Sequence, residues 1–213
     1  MVQSERMSTQ WAEENLNTIR TLMERASVYR RALAPVAIAV GALGMAAAGL
    51  AERMGWTGQN NFAGYWLGVG VVTVLVALLL VRRQALRADE EFWSPPTRRV
   101  AQVMAPLLLA GLGFGVLEFV NTGGRDSIRL IALWMVLYGG ALHAAGFFMQ
   151  RGLKLVGWIF VISGSIFLYL HTIYDVKWLD EANANWVMGW AFGVNHLAYG
   201  LYLKLTAKPV EEE

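Results

Sequence analysis

Two histidines are the residues whose type and spacing most readily predict chemistry in this sequence. His143 and His196 each lie in an apolar segment, and they precede Arg151 and Lys204 by eight residues in each case. If both segments are helices that run in the same direction, the two imidazoles lie at one depth, about 12 Å from the basic residues at 1.5 Å per residue. Imidazole titrates near neutral pH and ligates metals, so the pair predicts a polar site inside a helical bundle.

Three hypotheses account for this inner polar site, which also includes Asn195, Tyr138 and Tyr199. The first is structural, because each imidazole can hydrogen-bond an amide, a hydroxyl or a carbonyl across a helix interface. The second is a proton- or ion-responsive site, since ionisable groups inside membrane segments are commonly functional. The third is axial ligation of a b-type haem, which needs two imidazoles at the same depth on different helices.

A second set of polar residues lies near the opposite end of the predicted helices. Glu118 follows Arg99 by 19 residues, and His171 follows Lys154 by 17. Both side chains are therefore expected about 25 to 28 Å from those basic residues along the helix axis. Asp175 lies four residues after His171 and shares its face if the helix continues. We expect Glu118, His171 and Asp175 to form an outer polar site.

The segments that position these residues predict an all-α integral membrane protein. Hydrophobic residues make up 56% of the 213 residues and charged residues 16%, whereas a soluble domain has roughly 25% charged residues. Each apolar segment has roughly 20 residues, which is enough to cross about 30 Å of hydrocarbon. We predict six transmembrane helices, which together form a domain over 33–204: 33–52, 63–81, 100–120, 128–149, 153–172 and 184–203.

Glycines recur at helical spacing within these segments and predict close helix packing. In the last segment, Gly189, Gly193, His196 and Gly200 fall on one helical stripe. Small residues allow the backbones of membrane helices to approach closely. We therefore expect a tight bundle with little room for a wide aqueous pore.

Basic residues indicate the orientation of the bundle. Most of the 18 lysines and arginines lie in the N-terminal region, in the loop 82–99 and beside the ends of the predicted helices on that same side. Both termini are therefore predicted to be cytoplasmic. Residues 1–32 precede the bundle, and the apolar period of 8–31 predicts a cytoplasmic amphipathic helix at the membrane surface. Residues 205–213 are predicted to form an acidic cytoplasmic tail.

Motifs that would indicate an enzyme do not occur in the sequence. It has no P-loop, no His-Glu-x-x-His and no Gly-x-Ser-x-Gly, and the absence of cysteine excludes disulfides and thiolate metal sites. We therefore expect no enzyme activity and no resident cofactor. A net charge of only +2 gives no indication of nucleic-acid binding.

The expected function is that of a membrane sensor, scaffold or accessory subunit. The N-terminal helix and the loop 82–99 would form its cytoplasmic docking face. The lipid bilayer, a cytoplasmic protein and a second copy of the chain are the expected partners. One alternative is a small ion or solute transporter or channel that uses His143, His196 and Glu118. The other is a membrane subunit that binds a b-type haem.

Two stretches resemble a group of uncharacterised bacterial six-span membrane proteins. They are Asn17–Arg25, which reads Asn-Thr-Ile-Arg-Thr-Leu-Met-Glu-Arg, and Phe192–Gly200, which reads Phe-Gly-Val-Asn-His-Leu-Ala-Tyr-Gly. The resemblance implies a location in the bacterial inner membrane. It implies no activity, substrate or cofactor.

Overall fold

The described part of the computed structural model is built from helices. It describes residues 33–56, 59–89, 91–121, 126–149, 151–174 and 176–206, together with residue 15. Within these ranges the chain contains no β-strand. The helices are α1 (Leu33–Arg53), α2 (Gln59–Arg87), α3 (Pro95–Val120), α4 (Ser127–Ala145), α5 (Arg151–Ile173), α6 (Ala184–Met188) and α7 (Asn195–Leu205). The predicted all-α architecture is confirmed for these residues, whereas the predicted helix 8–31, apart from residue 15, and residues 207–213 of the predicted tail lie outside them.

Five of these helices, α1 to α5, are long and apolar enough to cross a membrane. Their apolar portions have 19 to 27 residues and mean hydropathies between 1.5 and 2.3. The sixth predicted segment is helical, but it changes from α6 to a π-helical turn at Gly189–Val194 and then to α7. The described residues therefore contain five uninterrupted helices of spanning length, and the predicted count of six is not confirmed.

The ends of the helices differ from the predicted spans for identifiable reasons. α2 continues to Arg87 instead of ending at residue 81, because arginine, glutamine, alanine and leucine all favour helix beyond the apolar stretch. α3 begins at Pro95, where the fixed φ of proline suits the first helical turn. α4 ends at Ala145, four residues before the predicted end, and Gly146 caps it.

The contact between α4 and α5 is made by backbone as well as by side chains. A methyl group on Gly157 would lie 2.6 Å from the backbone nitrogen of His143 and 2.7 Å from the carbonyl oxygen of Gly139. A methyl group on Gly164 would lie 2.9 Å from the carbonyl oxygen of Ala132. Glycine is therefore needed on α5 for the two helices to reach this separation.

The last helix packs against α1 in the same way. A methyl group on Gly41 would lie 2.6 Å from both the carbonyl oxygen of Gly193 and the backbone nitrogen of Leu197. One on Gly200 would lie 2.8 Å from the backbone nitrogen of Ile38. The close packing predicted for the glycines of the last segment is therefore present, and α1 is the helix that they approach.

Burial differs greatly between the helices. In the most apolar stretch of α4, half of the residues are buried, compared with 6% in α2 and 11% in α3. α2 and α3 form a peripheral hairpin whose large apolar side chains are mostly exposed. Contiguous exposed apolar surface of this extent is typical of helices that face lipid.

Candidate functional site

A hydrogen-bonded chain of three groups lies where the last helix meets α4. The Nε2 atom of His196 is 2.7 Å from the hydroxyl oxygen of Tyr138, and its Nδ1 atom is 2.6 Å from the carbonyl oxygen of Phe192. A carbonyl can only accept, so Nδ1 carries the proton and donates. In a neutral ring Nε2 then accepts from the hydroxyl of Tyr138. His196 is only 8% exposed, and both of its ring nitrogens are engaged.

The π-helical turn beside His196 is held by two side chains. Asn195 donates through Nδ2 to the carbonyl of Ala191 at 2.7 Å, and His196 donates in the same way to Phe192. Both carbonyls belong to the turn, and each is four residues before the side chain that binds it. π-Helical turns inside α-helices are rare and often lie at functional sites. Here the polar side chains stabilise the irregular backbone.

His143 has neighbours different from those of His196. Its ring lies edge-on against Trp158 and Phe147, with centroids 5.2 and 5.4 Å away. Its Nδ1 atom is buried and has no hydrogen-bond partner among the described residues. Because positions 138 and 143 are five residues apart, their side chains leave α4 about 140° from each other.

The predicted inner polar site is therefore divided. Tyr138, His196 and Asn195 lie together at the π-helical turn, whereas His143 points elsewhere. Tyr199 packs against α5, where a methyl group on Gly152 would lie 3.4 Å from its hydroxyl oxygen. This arrangement does not fit bis-histidine haem ligation, which needs a free nitrogen on each of two facing imidazoles.

The outer polar residues meet at the start of α4. Asp126 caps this helix, because its Oδ1 atom accepts from the backbone N–H of Arg129 at 2.9 Å. Its Oδ2 atom is 3.0 Å from Nε2 of His171, and its own backbone N–H donates to Oε1 of Glu118 at 2.6 Å. The structure thus brings Glu118 and His171 together through a residue that sequence reasoning missed. Asp175, the third predicted member, lies outside the described residues.

A further acidic residue extends this cluster to the segment before α6. The Oε1 atom of Glu181 accepts from the backbone N–H of Ser127 at 2.7 Å. Negative side chains are favourable at a helix N-terminus, where backbone N–H groups lack partners within the helix. The sequence signal was Asp-Ser before an apolar run, which is typical of a helix start. We call the end of the bundle with Glu118, Asp126 and Glu181 the acidic end, and the opposite end, which carries Arg82, Arg83 and Arg87, the basic end.

Asn185 forms the second connection at the acidic end, and it too was missed. It is 1% exposed, its Oδ1 atom accepts from Nε1 of Trp66 at 2.9 Å, and its Nδ2 atom donates to the carbonyl of Trp56 at 2.8 Å. One side chain therefore joins α6, α2 and the segment after α1. The available signal was an amide followed by tryptophan at the start of an apolar segment.

A cleft of about 830 Å³ opens between α1 and α2, next to Phe119 of α3. Its lining is mainly apolar and includes none of the predicted site residues. Within the described ranges, no three or more His, Asp or Glu side chains are grouped so as to hold a metal ion. A transporter would need a polar path joining the outer cluster to the inner histidines, and this cleft does not provide it.

Fold and site together define a helical protein with five helices of membrane-spanning length and polar side chains paired across helix contacts. Comparison with protein-family models, with curated proteins and with solved structures finds no match to the chain. The resemblance noted at Asn17–Arg25 and Phe192–Gly200 therefore stays a prediction.

Proposed function

We propose that this chain is a non-enzymatic integral membrane protein that acts as a scaffold, sensor or accessory subunit for a cytoplasmic protein. The observation that carries the proposal is that several of its polar side chains are hydrogen-bonded to each other. His196 is paired with Tyr138, Asp126 with His171, and Asn185 with the two tryptophans. These paired groups hold helices together, as buried polar groups do where water is excluded.

Insertion into a bacterial inner membrane is part of this proposal. The exposed apolar surface of α2 and α3 supports it, since lipid covers such a surface at no cost. We assign six crossings, of which the sixth combines α6, the π-helical turn and α7. The basic end then faces the cytoplasm and carries both termini, in agreement with the distribution of lysine and arginine.

The docking face is assigned to the N-terminal region and to residues 82–99. Trp93 lies between α2 and α3 and is 56% exposed, and the arginines around it are exposed as well. Tryptophan and arginine are the residues that most often anchor protein interfaces. The lipid bilayer, a second copy of the chain and one cytoplasmic protein are the partners proposed for this architecture.

Topology is the first prediction. Reporter domains fused after residue 90 and after Glu213 are expected to report cytoplasm, and one fused at residue 178 is expected to report the outside. The reason is that six crossings return the chain to its starting side, whereas five leave the two termini on opposite sides. Reporters on the outside both at residue 178 and after Glu213 would show that the interrupted last helix does not cross.

Partner docking is the second prediction. A photo-crosslinking residue in place of Trp93, in the full chain in its native membrane, is expected to capture one protein species reproducibly. Trp178 is the matched control, because it is 53% exposed and lies at the acidic end. We expect no capture there, and we expect deletion of residues 1–28 to reduce capture at Trp93. Equal capture at both ends, or none at either, would contradict the docking assignment.

A further inference from the structure

α2 presents a continuous apolar stripe that the other described helices leave uncovered. Val72, Leu75 and Leu79 follow one another at spacings of three and four, and they are 52 to 62% exposed. The same spacing leads on to Arg83 and Leu86. An exposed arginine therefore lies on this stripe just where the continuous apolar part of the segment ends.

Further arginines lie near Arg83 in the sequence, at the end of α2 and at the start of α3. Arg82 and Arg87 flank it near the end of α2, Arg98 and Arg99 lie near the start of α3, and all are exposed. The five guanidinium groups outnumber the three acidic residues at 89–91. Guanidinium groups bind phosphate oxygens through paired hydrogen bonds, which ammonium groups cannot do as well.

We propose that this stripe binds an anionic phospholipid, with one acyl chain along Val72, Leu75 and Leu79 and the phosphate at Arg83 and its basic neighbours. The proposal rests on the membrane insertion proposed above. Charge complementarity selects a negatively charged headgroup, because basic residues beside a membrane helix attract anionic lipids. The apolar stripe selects a lipid over a free phosphate or an acidic protein, since neither of these would use Leu75 or Leu79.

The test uses the purified full chain in a mild detergent, supplied with phosphatidylglycerol or with zwitterionic phosphatidylcholine. Native mass spectrometry counts the lipids that remain bound. Wild type is expected to retain phosphatidylglycerol preferentially. Replacing Arg83 and Arg87 together by glutamine is expected to weaken retention about thirtyfold, given about one kcal/mol for each basic residue near a membrane surface. The thermal midpoint should not change, because both side chains are exposed.

Arg129→Gln is the matched control, because its side chain is 52% exposed and lies at the acidic end. It is expected to leave retention unchanged, whereas Leu79→Gln should weaken it. Displacement of the lipid by millimolar inorganic phosphate, or wild-type retention after Leu79→Gln, would show a free-anion site and overturn the proposal. Equal retention of the two lipids would also overturn it.

Cell fractionation and the topology reporters separate this proposal from the proposed function. Suppose that the chain fractionates with membranes and that the topology reporters behave as expected. Equal retention of phosphatidylglycerol and phosphatidylcholine by the wild type then refutes only the phospholipid site. If the chain is not found in membranes, both proposals fail together.

Discussion

Replacing Gly157 by alanine is expected to force α4 and α5 apart and to lower the free energy of unfolding by about 3 kcal/mol. The added methyl group would lie 2.6 Å from the backbone nitrogen of His143 and 2.7 Å from the carbonyl oxygen of Gly139. Backbone atoms cannot change rotamer to make room, so a whole helix must shift. Unfolding of the purified protein in detergent, followed by circular dichroism, measures the effect.

Gly70 and Gly113 provide the matched controls for this substitution. Both lie within helices, and a methyl group on either would meet nothing within 4 Å. Alanine is the better helix former, so each control is expected to raise stability slightly, by up to about 1 kcal/mol. If Gly157→Ala were no more destabilising than Gly70→Ala, the close contact between α4 and α5 would be wrong.

Replacing Asn185 by leucine is expected to lower the free energy of unfolding by a similar amount, about 3 kcal/mol. The change removes the acceptor of the Trp66 indole N–H and the donor to the Trp56 carbonyl. Trp66 is 4% exposed, so its N–H group would lie buried without a partner. An unsatisfied buried donor costs about 1–3 kcal/mol, and a second group is lost at the same time.

Two further variants test whether the loss of stability comes from the lost hydrogen bonds of Asn185 or from the change of side chain itself. Asn183→Leu removes an amide whose bond to Asp180 is exposed, and it is expected to cost well under half as much. Trp66→Phe in the Asn185→Leu background removes the unpaired donor and should recover part of the stability. Strictly additive effects of the two changes would contradict a direct bond between these residues.

The sequence predicted the long helices well and their ends less well. Apolar runs identify α1 to α5 because they exceed the length that a membrane requires. Their ends depend on the helix propensity and capping of polar residues, which hydropathy does not measure. α2 therefore runs six residues past its predicted end at residue 81, and α4 ends early at Gly146.

For the candidate sites, the sequence predicted the position of each residue along its helix but not the direction of its side chain around the helix axis. Distance along a helix follows from counting residues, and it predicted similar depths for Glu118 and His171, which both contact Asp126. Direction around the helix depends on packing. α4 is oriented by the approach of Gly139 to Gly157, and this turns Tyr138 rather than His143 toward His196.

Residues that connect helices were harder to anticipate. Asp126 and Glu181 lie just before helices, and their importance comes from partners 45 and 54 positions away in the chain. The pair Asp126-Ser127 is a local signal for a helix start, but it does not indicate which side chains converge there. The π-helical turn was not anticipated either, because side-chain bonds from Asn195 and His196 to carbonyls four residues earlier can form in a regular α-helix as well.

The π-helical turn at Gly189–Val194 also has a consequence for how this chain tolerates changes in length. A π turn holds one residue more per hydrogen-bonded loop than an α turn, so a one-residue deletion inside it can be absorbed by conversion to regular α-helix. Gly189 could then stay against Ala48, and Gly200 against Ile38. A deletion in α7 between Asn195 and Gly200 would instead rotate everything beyond it by about 100° and take Gly200 away from α1. Relatives of this protein that differ by a single residue in the last helix are therefore expected to carry the difference within this turn.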